Sequence, residues 1–493
     1  MHTLLVLLNT SYKYRTLPSS SIQPSYRFSL TTSDPTRSCL LGATNDNVAA
    51  EALGPPRAPV QPLGPFHCRA QLDAVPGALS SLRVSQRRGT GRPRSPRSQR
   101  PTQLARPRSR LGTRPGPLVS DAAKKGPRHS FVPIAPGLQL LSIPSYVARA
   151  RLSTPAQPLL VAIDPSNDAA WVPCTACAGC APAPAPSFDP TRSSTYRPVR
   201  CGAPQCSQVP SPSCPRGACA FNMSYAASTF QALLGQDALA LDVVVAAYTF
   251  GCLHVVTGNP VPPQGLIGFG RGPLSFMSQT KDVYGSVFSY CLPSYKSSNF
   301  SGTLRLGPAG QPKRIKTTPL LSNPHRPSLY YVNKVGIRVG SKPVPVPASA
   351  LAFDPASGRG TIVDAGTMFT RLSAPVYAAV RDAFRRRWPP VADPLGGFDT
   401  CYNVTVSVAT VTFVFDGQVS VTLPEENVVI RSSSGGITCL AMAAGPPDGI
   451  DAALNVLASM QQQNHRVLFD VANGRVGFSR VRLAGWLKSI EPK

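Results

Sequence analysis

The chain lacks any long apolar run. Its N-terminal stretch Leu4–Leu8 is five residues long, and a membrane-spanning helix needs roughly 20. No membrane span is therefore expected, and the five-residue run is short even for a signal-peptide core. Acidic residues are also scarce. The 493 residues hold 23 Asp and Glu against 50 Lys and Arg, a net charge of +27. The imbalance is uneven: residues 1–130 carry 20 basic and 5 acidic residues, so the remainder is only moderately basic. Residues 83–114 contain eleven Arg and no acid. With almost nothing apolar to bury, this stretch is expected to be disordered. It has no interleaved aromatics and no accompanying nucleic-acid module. A solvated linker or pro-segment is the plainer reading, and a nucleic-acid tether the alternative.

The cluster Cys174-Thr-Ala-Cys177-Ala-Gly-Cys180 lacks the fourth Cys of an iron–sulfur run, because position 184 is Pro, and no His lies nearby. No metal and no cofactor are expected. Eleven of the thirteen Cys lie between Cys174 and Cys439, seven of them within residues 174–219. That density suits disulfides in an oxidising compartment. Sequons at Asn222, Asn299 and Asn403 agree with secretion.

From about residue 145 the texture changes. Short β-branched and aromatic runs, such as "LLVAI", "SLYYVNKVGIRV" and "TVTFVFDG", alternate with Gly, Pro, Ser and Asn. They predict a mainly antiparallel all-β body with few short helices. The best helix is "SAPVYAAVRDAFRRRW", with Ser373 as cap, Pro375 in the first turn, and Val376, Val380 and Phe384 on one face. The expected organisation is a disordered presequence over 1–144, lobes over 145–315 and 316–485, and a tail over 486–493.

One pattern repeats. "LLVAIDPSN" at 159–167 is echoed by "GTIVDAGTMF" at 360–369, each with apolar strand residues running into an Asp. A second apolar element follows each: "GLIGFG" at 265–270 and "LNVLAS" at 454–459. Two similar lobes, each giving one carboxylate, is the natural reading. Two carboxylates about 3 Å apart cannot both ionise cheaply, so they share a proton. The charged one can deprotonate a water while the neutral one protonates an amide oxygen. Neither metal nor covalent intermediate is required.

Residues from about 145 to 480 resemble the pepsin-like aspartic proteases, in particular the plant nepenthesin-like branch. The motifs are "AIDPSNDAAWVPCTACAGC", "FDPTRSSTYRPVRCGAPQC", "GLIGFGRGPLSF", "GTIVDAGTMFTRL" and "MQQQNHRVLFDVANGRVGF". The resemblance implies a bilobal fold with a central cleft holding Asp164 and Asp364. It implies a β-hairpin flap with Tyr225, a Trp171 beside it, and Gly366 and Thr367 at the substrate-facing second loop. It further implies the pairs Cys201–Cys219, Cys206–Cys214, Cys174–Cys177, Cys180–Cys252 and Cys401–Cys439. Cys291 is left as a free thiol, or pairs with Cys39 or Cys68, or has lost a partner in a tail that differs.

The sequence departs from that family where it matters. Asp-Thr-Gly or Asp-Ser-Gly is usual in both loops, and the hydroxyl braces one loop against the other. Here Pro165 and Ala365 stand instead, and Ser166 replaces a Gly. An unmade buried hydrogen bond costs on the order of 1–3 kcal/mol. Ala458 also replaces a Gly in the closing motif, and "AAS" replaces the Gly-rich flap tip. The expected activity is an acid-acting aspartic endopeptidase working on protein or peptide substrates as a monomer. The alternative is a weak or inactive homologue that binds a protein. The secretory pathway, leading to the apoplast or vacuole, is the expected location, with the chloroplast as alternative.

Overall fold

A computed structural model describes residues 128–481, except 183–185, 260, 387–389, 391–396, 404–407 and 433–435. The Arg-rich stretch, Cys39, Cys68 and the tail after Val481 lie outside the described residues.

Alternation makes the strands. In Tyr146–Leu152, Arg149 and Arg151 are exposed while Ala148, Ala150 and Leu152 are buried, as a half-buried strand requires. Strand Gln157–Asp164 starts with the same alternation but is buried throughout from Val161 to Asp164. Its apolar end lies between two neighbours: antiparallel Tyr146–Leu152 on one side and parallel Leu266–Gly268 on the other. A continuous apolar run followed by Asp therefore marks a strand buried on both faces.

These strands belong to one large sheet. At one end it is the first lobe, closed by the long hairpins Ala220–Tyr225, Ser228–Ala240 and Val244–Gly258. At the other end it draws on both halves of the chain. Strands Val287–Cys291 and Gly302–Leu306 pair with each other, and Val287–Cys291 also pairs with His465–Asp470. Aromatic packing welds this joint. Phe288 stacks on Phe469 at 4.7 Å between ring centroids, and Tyr330 meets Phe469 edge-on at 4.5 Å.

The same sheet takes in strand Ser130–Pro136, followed by the short helix Gly137–Leu141. This corrects the expectation of disorder up to residue 144. Val132 and Ile134 are buried, but Pro133 and Pro136 mask the strand signal, since proline is normally confined to edges and ends of strands. Here Ser130–Pro136 pairs on both sides, with Gly302–Leu306 and Tyr146–Leu152.

The second lobe has sheets of five, four and three strands among the described residues. Helix Ala374–Arg385 packs Val376, Tyr377, Val380 and Phe384 inward. Ser373 holds the cap position without a side-chain capping bond. Arg381 and Arg385 reach Asp399 at 3.6 and 3.7 Å, a solvated pairing worth little to stability.

The disulfides differ from those the resemblance implied. Cys401–Cys439 is present. Cys174 pairs with Cys252, and Cys177 with Cys180. Strand Trp171–Ala178 runs parallel to Val244–Gly258 with Val172 opposite Cys252, which brings Cys174 rather than Cys180 beside Cys252. Ala176 and Gly179, both at positive φ, fold Cys177 back onto Cys180. In the insertion the pairs interleave as Cys201–Cys214 and Cys206–Cys219, instead of nesting. Cys206 and Cys219 share one buried cluster with Phe221 and Trp171, while Cys214 is exposed. Cys291 is disulfide-bonded too, so it is not a free thiol.

Candidate active site

The two halves repeat one arrangement around each Asp. Strand Gln157–Asp164 pairs in parallel with Leu266–Gly268, bringing Gly268 opposite Asp164. Strand Gly360–Val363 pairs in parallel with Leu454–Leu457, bringing Leu457 opposite Val363, the residue before Asp364. The elements read as echoes in the sequence are thus the strands laid beside each Asp strand. Asp164 and Asp364 are both fully buried.

Each carboxylate is held from its own loop. Asp164 Oδ1 accepts from the Ser166 N–H at 2.9 Å and from its hydroxyl at 2.7 Å. Asp364 Oδ1 accepts from the Gly366 N–H at 2.8 Å, and Oδ2 from the Thr367 hydroxyl at 2.7 Å. Bonds to an ionised acceptor are the strong kind. Ser166 is therefore no simple loss relative to Gly. It keeps a negative φ and adds a donor. Thr367 is buried with the carboxylate that it holds.

Tyr290 is a buried tyrosine that feels both charges. Burial raises its hydroxyl pKa well above the ordinary value, and the charges of Asp364 and Asp164 both push it further. The hydroxyl donates to Gln462 Oε1 at 2.5 Å, and Gln462 Nε2 donates to the Asp364 carbonyl at 3.1 Å. Neither Tyr290 nor Gln462 was singled out from the sequence, although Gln462 lies in the quoted "MQQQNH".

The loop-to-loop hydroxyl brace is absent by sequence. Pro165 has no N–H, and among the described residues no group accepts from the buried Ala365 N–H. A third carboxylate lies close by. Asp168 Oδ1 accepts from the Gly272 N–H at 2.7 Å, and Oδ2 takes a short hydrogen bond from Ser328. Burial pushes the Asp168 carboxyl above the usual range. The Ser328 and Gly272 bonds and Arg271 pull it down, and the Asp164 charge adds to the rise.

Tyr225 ends its strand at a two-residue hairpin turn, opposite Ser228. Its ring meets Trp171 edge-on at 5.4 Å. Asn222, Asn299 and Asn403 are exposed; Thr405 of the third sequon lies outside the described residues. No group of His, Cys, Asp and Glu suited to a metal occurs among the described residues.

Comparison with known proteins agrees with this geometry. The "Xylanase inhibitor N-terminal" family model matches residues 146–308 and the "Xylanase inhibitor C-terminal" model residues 329–480. Aspartyl protease 25 of Oryza sativa subsp. japonica is 46% identical over 391 residues, covering 74% of this chain and 86% of that protein. Aspartic proteinase nepenthesin-2 of Nepenthes gracilis is 33% identical, covering 68% of this chain and 76% of that protein. The crystal structure of basic 7S globulin from soybean shares the fold, with a TM-score of 0.56 at 23% identity, covering 72% of this chain and 97% of that one. Two lobes that each bury one Asp at the end of a parallel-paired strand, together with these relatives, establish the lineage: the chain belongs to the pepsin-like aspartyl protease family, in its plant nepenthesin-like branch.

Proposed function

We propose that this protein is an aspartic endopeptidase that uses Asp164 and Asp364 as a proton-sharing pair. The observation that carries the reading is the matched placement of two buried carboxylates, one from each half of the chain, each at the end of a strand paired in parallel with a second apolar strand. In the reaction one carboxylate is ionised and takes a proton from water. The hydroxide oxygen bonds to the scissile carbonyl carbon while the neutral carboxylic acid gives its proton to the carbonyl oxygen. Collapse of the tetrahedral species breaks the C–N bond, and the nitrogen leaves with a proton from the pair. Ser166, Gly366 and Thr367 keep the acceptor oxygens aimed. The Tyr225 hairpin closes over the peptide, with Trp171 as its seat.

A digest of a denatured protein by the purified mature chain tests this. Cleavage at about pH 3–5, where a shared proton persists, should be blocked by pepstatin and lost in Asp364→Asn. Cleavage that survives either treatment rules the mechanism out.

A second reading has one specific observation behind it. Pro165 and Ala365 remove the hydroxyls that brace the loops, which suits a homologue that binds a protein in its cleft without cutting it. Pro165→Thr, Ser166→Gly and Ala365→Ser combined should then switch on turnover absent from the native chain. The exposed sequons support a secreted glycoprotein; a mobility shift on glycosidase treatment of the native protein checks that.

A further inference from the structure

No hydroxyl stands at 165 or 365, yet another route joins the two Asp loops. Asp168 is four residues past Asp164 on the same loop. It accepts from the Gly272 N–H and from the Ser328 hydroxyl. Ser328 lies on the segment that enters the second lobe, and its own carbonyl accepts from the Arg271 N–H at 3.2 Å. Two residues on, the Tyr330 carbonyl accepts from the Val363 N–H at 3.0 Å, and Val363 directly precedes Asp364. The Tyr330 hydroxyl returns to the first lobe, donating to the Phe269 carbonyl at 2.7 Å. The Phe269 N–H then donates to the Asp164 carbonyl at 2.7 Å. The path closes from one Asp loop to the other and back.

The surroundings are shaped for it. A Cβ at Gly270 would come 2.4 Å from Asp168 Oδ1, and one at Gly272 would come 2.4 Å from its Cγ. Only glycine at both positions lets the turn close on the carboxylate.

We propose that Asp168 and Ser328 are positioning residues that hold the two Asp loops in register, the task a hydroxyl at 165 or 365 would otherwise perform. The catalytic consequence rests on the peptidase reading; the structural consequence does not. Without the Ser328 hydroxyl, Asp168 Oδ2 is left half-buried and unsatisfied. Small misplacements of a catalytic loop are amplified in rate.

The test compares the full chain with Ser328→Ala, Ser328→Thr and Asp168→Asn. Hydrogen exchange is followed in peptides covering 164–171 and 360–368, and kcat and KM are measured on one peptide substrate. Ser328→Ala should exchange about tenfold faster in both peptides, with the rest of the molecule unchanged, as loss of one such bond implies. Its kcat should fall about tenfold with KM within about twofold, and Ser328→Thr should restore both. Unchanged exchange at 360–368 overturns the proposal, whatever the activity. An inactive wild type removes the peptidase reading alone, since the exchange data still decide the brace. If Ser328→Ala does not fold, Asp168→Asn, which retains one acceptor oxygen, is read by the same criteria.

Discussion

Asp168 ties the stability of the fold to pH. Burial is the largest cause of its raised pKa, so the fold favours its protonated form. A carboxyl whose folded pKa exceeds its unfolded value contributes stability that is fully present below the unfolded value. That stability is lost as pH rises through the folded one. Tm measured against pH should therefore fall more between acid and neutral conditions for the wild type than for Asp168→Asn. Equal slopes would mean that the carboxyl is solvated. The primary Asp pair was legible in the sequence because each sits at the end of a continuous apolar strand. Asp168 was not, because its partners Gly272 and Ser328 are 104 and 160 residues away, and no local pattern carries that separation. The hydroxyl bond from Ser166 to Asp164 was not legible either, because a comparison with Gly hides it.

Among the elements, the Tyr225 hairpin carries a visible cost. Its turn places Ala226 at φ 53°, a left-handed conformation that costs an L-residue about 1–2 kcal/mol and glycine almost nothing. Ala226→Gly should raise the urea midpoint at unchanged m-value, a gain of about 1 kcal/mol in stability less the chain-entropy cost of glycine. No gain would mean that the turn is held by other contacts. Strand Lys334–Val339 contains a second liability. Lys334 is 1% exposed, and among the described residues no acid pairs with it. Burial pushes its pKa down to about 7, and its ammonium lies 5.6 Å from the Phe413 ring centroid. Asp416, one residue past the paired strand Val411–Phe415, accepts from Asn333. A lowered lysine pKa penalises the fold fully below about pH 7 and fades toward pH 10.5. Lys334→Met should therefore stabilise the protein by on the order of 4 kcal/mol at pH 5, and much less at pH 10. Chemical denaturation at the two pH values checks this. Most strands could be read from alternation, but Ser130–Pro136 could not, because its prolines speak against a central strand. The interleaved disulfides were equally hidden: the spacing of Cys201, Cys206, Cys214 and Cys219 allows nested or crossed pairs, and only burial of Cys206 with Cys219 decides.

Taken as a whole, the molecule is two lobes joined by a shared sheet in which strands from the two halves of the chain lie side by side and meet where His465–Asp470 pairs with Val287–Cys291. Phe469 sits at that joint between Phe288, Tyr290 and Tyr330. Phe469→Ala should cost about 3–5 kcal/mol and lower activity through both lobes, which thermal unfolding and the digest assay would read together. Bilobal symmetry was legible from the repeated Asp segments. The joint was not, since it pairs residues near 290 with residues near 467.

Whether two carboxylates work as a coupled pair without the usual hydroxyl brace is a question of titration. The pH dependence of kcat/KM for peptide cleavage tests it most directly, because it reports the titration of the free enzyme's acid and base. A coupled pair gives a bell with both limbs on the acid side of neutrality, abolished in Asp164→Asn and in Asp364→Asn alike. A native chain with no turnover at any acidic pH, or a bell that persists in either variant, would contradict it.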